Sequence, residues 1–363
     1  MQAPKNLLQQ LPNLDQLSEN LDQDTSEILT RAFPTQDLAR ASAGELSFGI
    51  GFMDTGESDL PQIEEVDRER WVSAGVRAVN RLKDEGEDAD LTGEELIGLE
   101  AIVHIEARPA ILIQDGHFFP PPAEWQNLEN QRGQIETTFQ SVGRIEVVNH
   151  PTYEWVGTGF LVGENVIMTN RHVAEIFCKR GCLGRWDIEP EITAKIDYVE
   201  ELGSLASAEF ALTNVIGIHS TFDMALFQIE PISSTGVNLP QPLPVSSNPP
   251  AELPGELVYC VGYPAWDGRR NDPEVMRKIF SNIFNVKRFQ PGKLMSYSNA
   301  KKILTHDCST LGGNSGSCVI DLETNQVIGL HFGGRYLEGN SAVALWELTN
   351  DRLLKRGRVN FTH

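Results

Sequence analysis

The chain has 363 residues, 40% hydrophobic and 22% charged, which is ordinary globular usage but too much for one hydrophobic core to serve alone. No stretch approaches the roughly 18 uncharged apolar residues of a membrane helix, so a protein spanning the membrane by helices is excluded. A net charge of −21 argues against nucleic acid or anionic lipid as the main partner.

The acid excess is concentrated at one end: residues 1–140 carry 27 acids against 10 bases, and residues 141–363 carry 24 against 20. The first 21 residues lack the basic start and apolar run of a secretory signal, which points to the cytoplasm. Leu7, Leu11, Leu14, Leu17 and Leu21 recur at helical spacing. Asp59, Leu60 and Pro61 read as the start of a helix that places Val72, Val76, Val79 and Leu82 on one face. The acidic run from Asp84 to Asp88 breaks it, and Thr92 with Glu95 then forms a capping box opening a second helix through Leu99. From Pro109 to Ile113 the chain offers a short apolar strand, and Pro120, Pro121 and Pro122 lead into one more helix.

After Phe139 short apolar runs bounded by Gly and Pro recur: 143–148, 157–162, 166–168, 193–199, 224–229, 257–261, 317–320, 327–330 and 342–345. That rhythm is the mark of an antiparallel barrel or sandwich, not of alternating strand and helix. Cys178, Cys182, Cys260, Cys308 and Cys318 are scattered, with no partner set of histidines evident in the sequence. They read as buried thiols in a reducing compartment, with no metal and no cofactor expected.

Chemistry concentrates at three places. Gly313, Asn314, Ser315, Gly316 and Ser317 form a small-residue turn in which Ser315 can attack a carbonyl while the amides of Gly313 and Ser315 hold the developing oxyanion. Such a serine needs a base, and His172 follows the run from Val166 to Thr169, where a strand ends and an imidazole can be presented. Asp223 stands at the mouth of the apolar run from Met224, a setting in which a carboxylate can orient that imidazole. Alone, each is common without chemistry: a plain Gly/Ser turn, a hydrogen-bonded histidine, a turn-forming aspartate.

Together, the order His172, Asp223, Ser315 over a strand-rich segment resembles the trypsin/chymotrypsin-like serine peptidases, across roughly residues 140–350. The resemblance implies a mainly β protein with a double six-stranded antiparallel β-barrel preceded by a mostly helical N-terminal region, and with the triad in the cleft between the barrels. Within that family the stretch from Ser309 to Ser317 and the run from Val327 to Gly334 are most similar to the glutamyl endopeptidases of staphylococcal type. There, Thr310 and His331 fall where that branch grips the carboxylate of the residue before the scissile bond. A histidine that can be charged beside a hydroxyl favours an anion without a fixed cation. Asn314 stands where trypsin has an aspartate that pairs with a new N-terminus, so activation by that ion pair is not expected. Cys318 stands where most relatives have proline.

The expectation is a bacterial, intracellular serine endopeptidase acting on protein or peptide substrates. Residues 141–363 form its peptidase domain, and residues 1–140 serve as a pro-region, a regulatory region or a docking site for a partner protein, as in signalling or defence proteases. The rival reading is a catalytically idle module of the same shape, binding an extended peptide along Phe332, Gly333 and Gly334 by strand addition.

Overall fold

The structure is a computed structural model that describes residues 65–86, 89–102, 108–181, 184–266, 280, 283–335 and 339–362. The leucine series from Leu7 to Leu21, the helix start at Asp59 and the thiol of Cys182 lie outside the described residues.

Helix α1 (Glu65–Glu85) packs against α2 (Gly93–Ile102). The capping box is present, with Glu95 N donating to Thr92 Oγ1 at 3.2 Å and Thr92 N to Glu95 Oε2 at 2.8 Å. The buried stripe of α1 runs through Ala74, Ala78, Val79 and Leu82, with Val76 half-buried. Strands β1 (Ile111–Gln114) and β2 (His117–Phe118) follow, then a 3-10 turn (Ala123–Gln131) and α3 (Arg132–Phe139).

Six strands close the first barrel: β3 (Val142–Val148), β4 (Trp155–Gly163), β5 (Val166–Thr169), β8 (Thr193–Asp197), β9 (Glu209–Ile218) and β10 (Ala225–Ile229). Helix α4 (Arg171–Phe177) and the β6–β7 hairpin (Cys178–Arg180, Trp186–Ile188) leave the barrel between β5 and β8. The tight turn from β4 to β5 places Asn165 at φ +50, a conformation asparagine tolerates better than branched residues do.

The second barrel is formed by β11 (Leu257–Gly262), β12 (Arg288–Ser298), β13 (Ile303–His306), β14 (Cys318–Asp321), β15 (Val327–Arg335) and β16 (Gly339–Ala344). Strand β11 pairs with both β14 and β12, and that double pairing closes the ring. Helix α5 (Arg352–Arg356) follows β16, and the chain then returns to the first barrel, where Asn360 N donates to Val162 O at 2.7 Å. The protein is mainly β, with two six-stranded antiparallel barrels. Among the described residues no helix is long and apolar enough to cross a membrane.

Strand β4 is buried along its whole length because both its faces meet a core, with a register shift near Trp155 and Gly157 changing which side the residues before it present. Val156 and Leu161 fill the first barrel, while Phe160 and Val162 join the layer between the barrels. That layer also holds Ile113, Phe118, Trp125, Leu128, Ile135 and Phe139, so residues that read as part of a separate N-terminal region share the core of the barrels. β1 extends the second barrel by pairing Ile111 with Phe289 of β12. Two buried cations, Lys287 just before β12 and Arg288 at its start, fix the same segment: Arg288 donates to Ala110 O at 2.8 Å, and Lys287 Nζ to Phe139 O at 2.9 Å. Texture along the chain changes near residue 140, whereas packing changes near residue 108.

Candidate active site

His172 lies in the first turn of α4, where the leading N–H groups of a helix lack intrahelical partners. Asp223, just before β10, supplies one: its Oδ1 accepts from the His172 backbone N–H at 3.0 Å, and its Oδ2 meets His172 Nδ1 at 2.7 Å. The chain around Asp223 is held as well, its carbonyl accepting from Asn170 Nδ2 at 3.0 Å and that of Phe222 from Arg171 Nη2 at 2.5 Å. β5 and β10 are neighbours, with Thr169 opposite Ala225, and this pairing brings the two segments together. Partial burial pushes the Asp223 carboxyl upward, but the hydrogen bonds and charge of His172 outweigh it and hold the group below its ordinary range. A carboxylate so held keeps Nδ1 of the imidazole as donor and leaves Nε2 to accept a proton.

Ser315 lies across the cleft, in the turn that leads into β14. Thr158 of β4 fastens this turn: its N–H donates to Ser315 O at 2.9 Å and its Oγ1 to Gly313 O at 2.8 Å. Gly157 beside it marks a close approach, since a Cβ there would stand 2.9 Å from both Ser315 O and Val173 Cγ2. The backbone of the serine therefore faces the helix that carries His172. No hydrogen bond joins Ser315 Oγ to His172 among the described residues, an arrangement common before a substrate tightens the site.

The amides of this turn divide into two sets. Asn314 N donates to Leu311 O, Gly316 N to His331 O and Ser317 N to Asn314 O, while those of Gly313 and Ser315 have no acceptor among the described residues. Two N–H groups are thus left for an incoming oxygen. The turn needs its glycines: Gly316 has φ +92, and a Cβ there would stand 2.0 Å from Thr158 O. Asn314 is fully buried, and its Nδ2 has no hydrogen-bond partner among the described residues, so the slot holds a neutral amide. Burial pushes the Cys318 thiol up to about 12, which makes it an inert core residue.

His331 is tied to the same turn through its own backbone, with His331 N donating to Ser317 O at 2.9 Å. Its imidazole is buried, Nδ1 lying 3.2 Å from Nε2 of the buried His306. Burial, and with it the charge of His172, pushes His331 down to about 3, so in the substrate-free protein it is neutral. That differs from a ring poised to be charged, because the second barrel closes over it. Thr310 Oγ1 donates to Asn340 Oδ1 at 2.8 Å, and Asn340 Nδ2 donates to Cys308 O at 2.6 Å. Phe332 and Gly333 are half-buried and Gly334 is exposed. Gly333 and Gly334 pair on one side with β16, Phe332 lying at the register shift before them, whereas β14 pairs only with earlier residues of β15, so the other side of 332–334 has no partner strand among the described residues.

Thr158, His306 and Asn340 are the contributors that sequence reading missed. A hydroxyl inside an apolar run, one of eight histidines and one asparagine after a turn carry no pattern of their own; only the strand pairing brings them to the site.

Residues 157–330 match a family model described as a trypsin-like peptidase domain. A probable serine protease of Lysobacter enzymogenes is 28% identical over 326 residues, covering 77% of this chain and 82% of the relative. A glutamyl endopeptidase of Staphylococcus epidermidis is 28% identical over 220 residues, covering 59% and 68%. A solved serine endoprotease from Yersinia pestis aligns with a TM-score of 0.42 at 16% identity, covering 62% of this chain and 65% of that one.

Proposed function

We propose that this chain, a serine peptidase carrying a trypsin-like peptidase domain, cleaves peptide bonds through a triad of His172, Asp223 and Ser315. His172 Nε2 takes the proton from Ser315 Oγ as the oxygen attacks the scissile carbonyl. The N–H groups of Gly313 and Ser315 receive the oxyanion. Collapse of the tetrahedral species passes the proton from His172 to the leaving amine and leaves an acyl-enzyme. Water, deprotonated by the same imidazole, then releases the acid and restores Ser315. The carrying observation is the two-point grip of Asp223 on His172, opposite a serine turn with two uncommitted amides.

A fluorophosphonate probe tests this. Labelling should be strong in the wild type, absent in Ser315→Ala and much weaker in His172→Ala, since triad losses cost orders of magnitude. Equal labelling of all three proteins would favour the idle, peptide-binding reading along the open edge of Phe332, Gly333 and Gly334.

The pocket reading is a preference for Glu, and less so Asp, before the scissile bond. The adjacency of Thr310 and His331 to the nucleophile turn and the 28% identity to a glutamyl endopeptidase support it. Glu peptides should be cut faster than their Gln isosteres, and His331→Ala should lower kcat/KM on Glu peptides by about ten- to a hundredfold. A wild-type preference for Lys or Arg would refute it. Of residues 1–140, those from Arg108 on belong to the barrels' core, so the stretch before Arg108, which carries most of the acid excess, is proposed as the regulatory, docking or pro-region, and the cytoplasm as the place of action.

A further inference from the structure

We propose that the second barrel holds a thiophilic cation of the zinc type on Cys260, His306 and Cys308. The three residues are scattered in sequence and meet in space. Cys260 Sγ, Cys308 Sγ and a ring nitrogen of His306 all lie within 4.8 Å of one another, and Cys260 Sγ is 4.0 Å from His306 Nδ1. All three are fully buried, in a barrel interior lined by Val258, Leu294, Leu304 and Val319.

The separations suit such an ion. With bonds of about 2.3 Å to sulfur and about 2.0–2.1 Å to nitrogen, tetrahedral zinc holds its donors roughly 3.5–3.8 Å apart, so no pair in the cluster need contract by more than about 1.3 Å. Two thiols and an imidazole are donors for zinc and not for magnesium or calcium, which prefer oxygen. Uptake would release the two thiol protons to solvent.

An independent feature points to the same place. Gln290 is fully buried, and neither its Oε1 nor its Nε2 has a hydrogen-bond partner among the described residues. It pairs directly with Cys260 across β11 and β12, so the two side chains share one face of the sheet. Two residues on, a Cβ at Gly292 would stand 2.9 Å from Cys308 Sγ, which sets the second thiol over the same face. A wholly buried amide with both ends unpaired is costly unless something meets it, and its oxygen can complete a tetrahedron whose other corners are the two sulfurs and the imidazole. A plain core of thiols would account for neither the imidazole nor the amide.

Occupancy would reach the candidate active site through one ring. A cation on His306 Nδ1 leaves the proton on Nε2, which then donates to His331 Nδ1 at 3.2 Å. His331 is thereby fixed with its own proton on Nε2. His306 is a positioning residue in this scheme. Its effect on specificity rests on His331 lining the pocket, whereas occupancy of the site does not.

The test is the metal content of the full chain. Wild-type protein passed through a chelator and gel filtration should keep one zinc per chain. Zinc should fall away in the Cys260→Ser/Cys308→Ser double variant, and His306→Ala should lose at least the about 10–100-fold in affinity that removing a supporting partner typically costs. Should the variants fail to fold, wild-type protein expressed with Co²⁺ in place of zinc still decides: tetrahedral thiolate ligation gives intense sulfur-to-cobalt absorption in the near ultraviolet. Folded, probe-labelled wild type with substoichiometric zinc and no such band would overturn the site while leaving the peptidase reading intact. Zinc retained by the double variant would place the metal elsewhere, and a Cys260–Cys308 disulfide found by mass spectrometry would overturn the site in favour of redox chemistry.

Discussion

Thr158 commits its hydrogen-bonding capacity to the cleft. Its N–H and hydroxyl donate to Ser315 O and Gly313 O, its hydroxyl accepts from Tyr263 N at 3.3 Å, and its carbonyl accepts from Thr169 Oγ1 at 2.7 Å. Thr158→Val keeps the shape and leaves the Gly313 carbonyl unmet, at about 1–3 kcal/mol. The expected outcome is a drop in kcat/KM of about tenfold or more with the Glu-to-Gln ratio unchanged; unaltered turnover would mean that the turn holds itself. Gly313 is a harsher test. At φ +85 a Cβ would stand 2.4 Å from Tyr263 O and 2.5 Å from the Trp155 ring, so Gly313→Ala must move the amide. Losing one such donor typically costs about 10²–10³ in kcat, which steady-state kinetics on any cleaved peptide would register. The three residues proposed as a triad stand out in sequence because they carry their neighbours with them, glycines around Ser315 and an apolar run beside Asp223. Thr158 does not, because nothing in the run from Gly157 to Val162 says which barrel its hydroxyl faces.

Elements with clean apolar runs, β3, β4, β5, β10, β11 and β14, were readable from sequence to within about two residues. Strand β12 was missed. Its residues Arg288, Gln290, Pro291 and Gly292 violate the ordinary strand pattern, and they are buried for reasons that lie on other elements: carbonyls for Arg288, Cys260 opposite Gln290 and Cys308 over Gly292. The short helix α5 shows how local chemistry can be weighed. Asp351 is its N-cap, accepting from Leu353 N at 2.8 Å and Leu354 N at 3.2 Å, with His219 Nε2 also at 3.2 Å. Asp351→Ala should cost about 1 kcal/mol in urea unfolding at neutral pH. Partial burial raises the Asp351 carboxyl, but hydrogen bonds from Leu354, His219 and Leu353 outweigh it and hold the group below its ordinary value. The folded state therefore binds that proton more weakly than the unfolded one. The stabilisation is complete above the ordinary aspartate pKa of about 3.9 and is lost as pH falls through the folded value. The gap between wild type and variant should be full at pH 7 and shrink in more acidic solution, and a gap that widens on acidification would contradict the capping role.

At the scale of the whole molecule, the boundary near residue 140 follows the change from helical to strand texture, but texture does not report packing. Ile111, Ile113, Phe118, Trp125, Leu128 and Ile135 fill the layer between the barrels, worth roughly 10–20 kcal/mol of gross apolar burial. A chain beginning at Thr137 should accordingly be insoluble or unfolded, while one beginning at Arg108 should fold and be labelled by the active-site probe. Soluble, labelled protein from the shorter chain would show the layer to be dispensable. The pairing of β1 with β12 has a further consequence, in time instead of energy. Ile111 and Phe289 are made far apart, and at 5–20 residues per second the ribosome needs roughly 10–35 s to deliver the second after the first. Once Ile229 is made the first barrel has all its strands, while the segment from Arg108 to Phe139 still lacks the cations and the strand that will hold it. The newborn chain carries an uncovered apolar surface for longer than most domains take to fold, and the acids clustered ahead of it favour solubility during the wait.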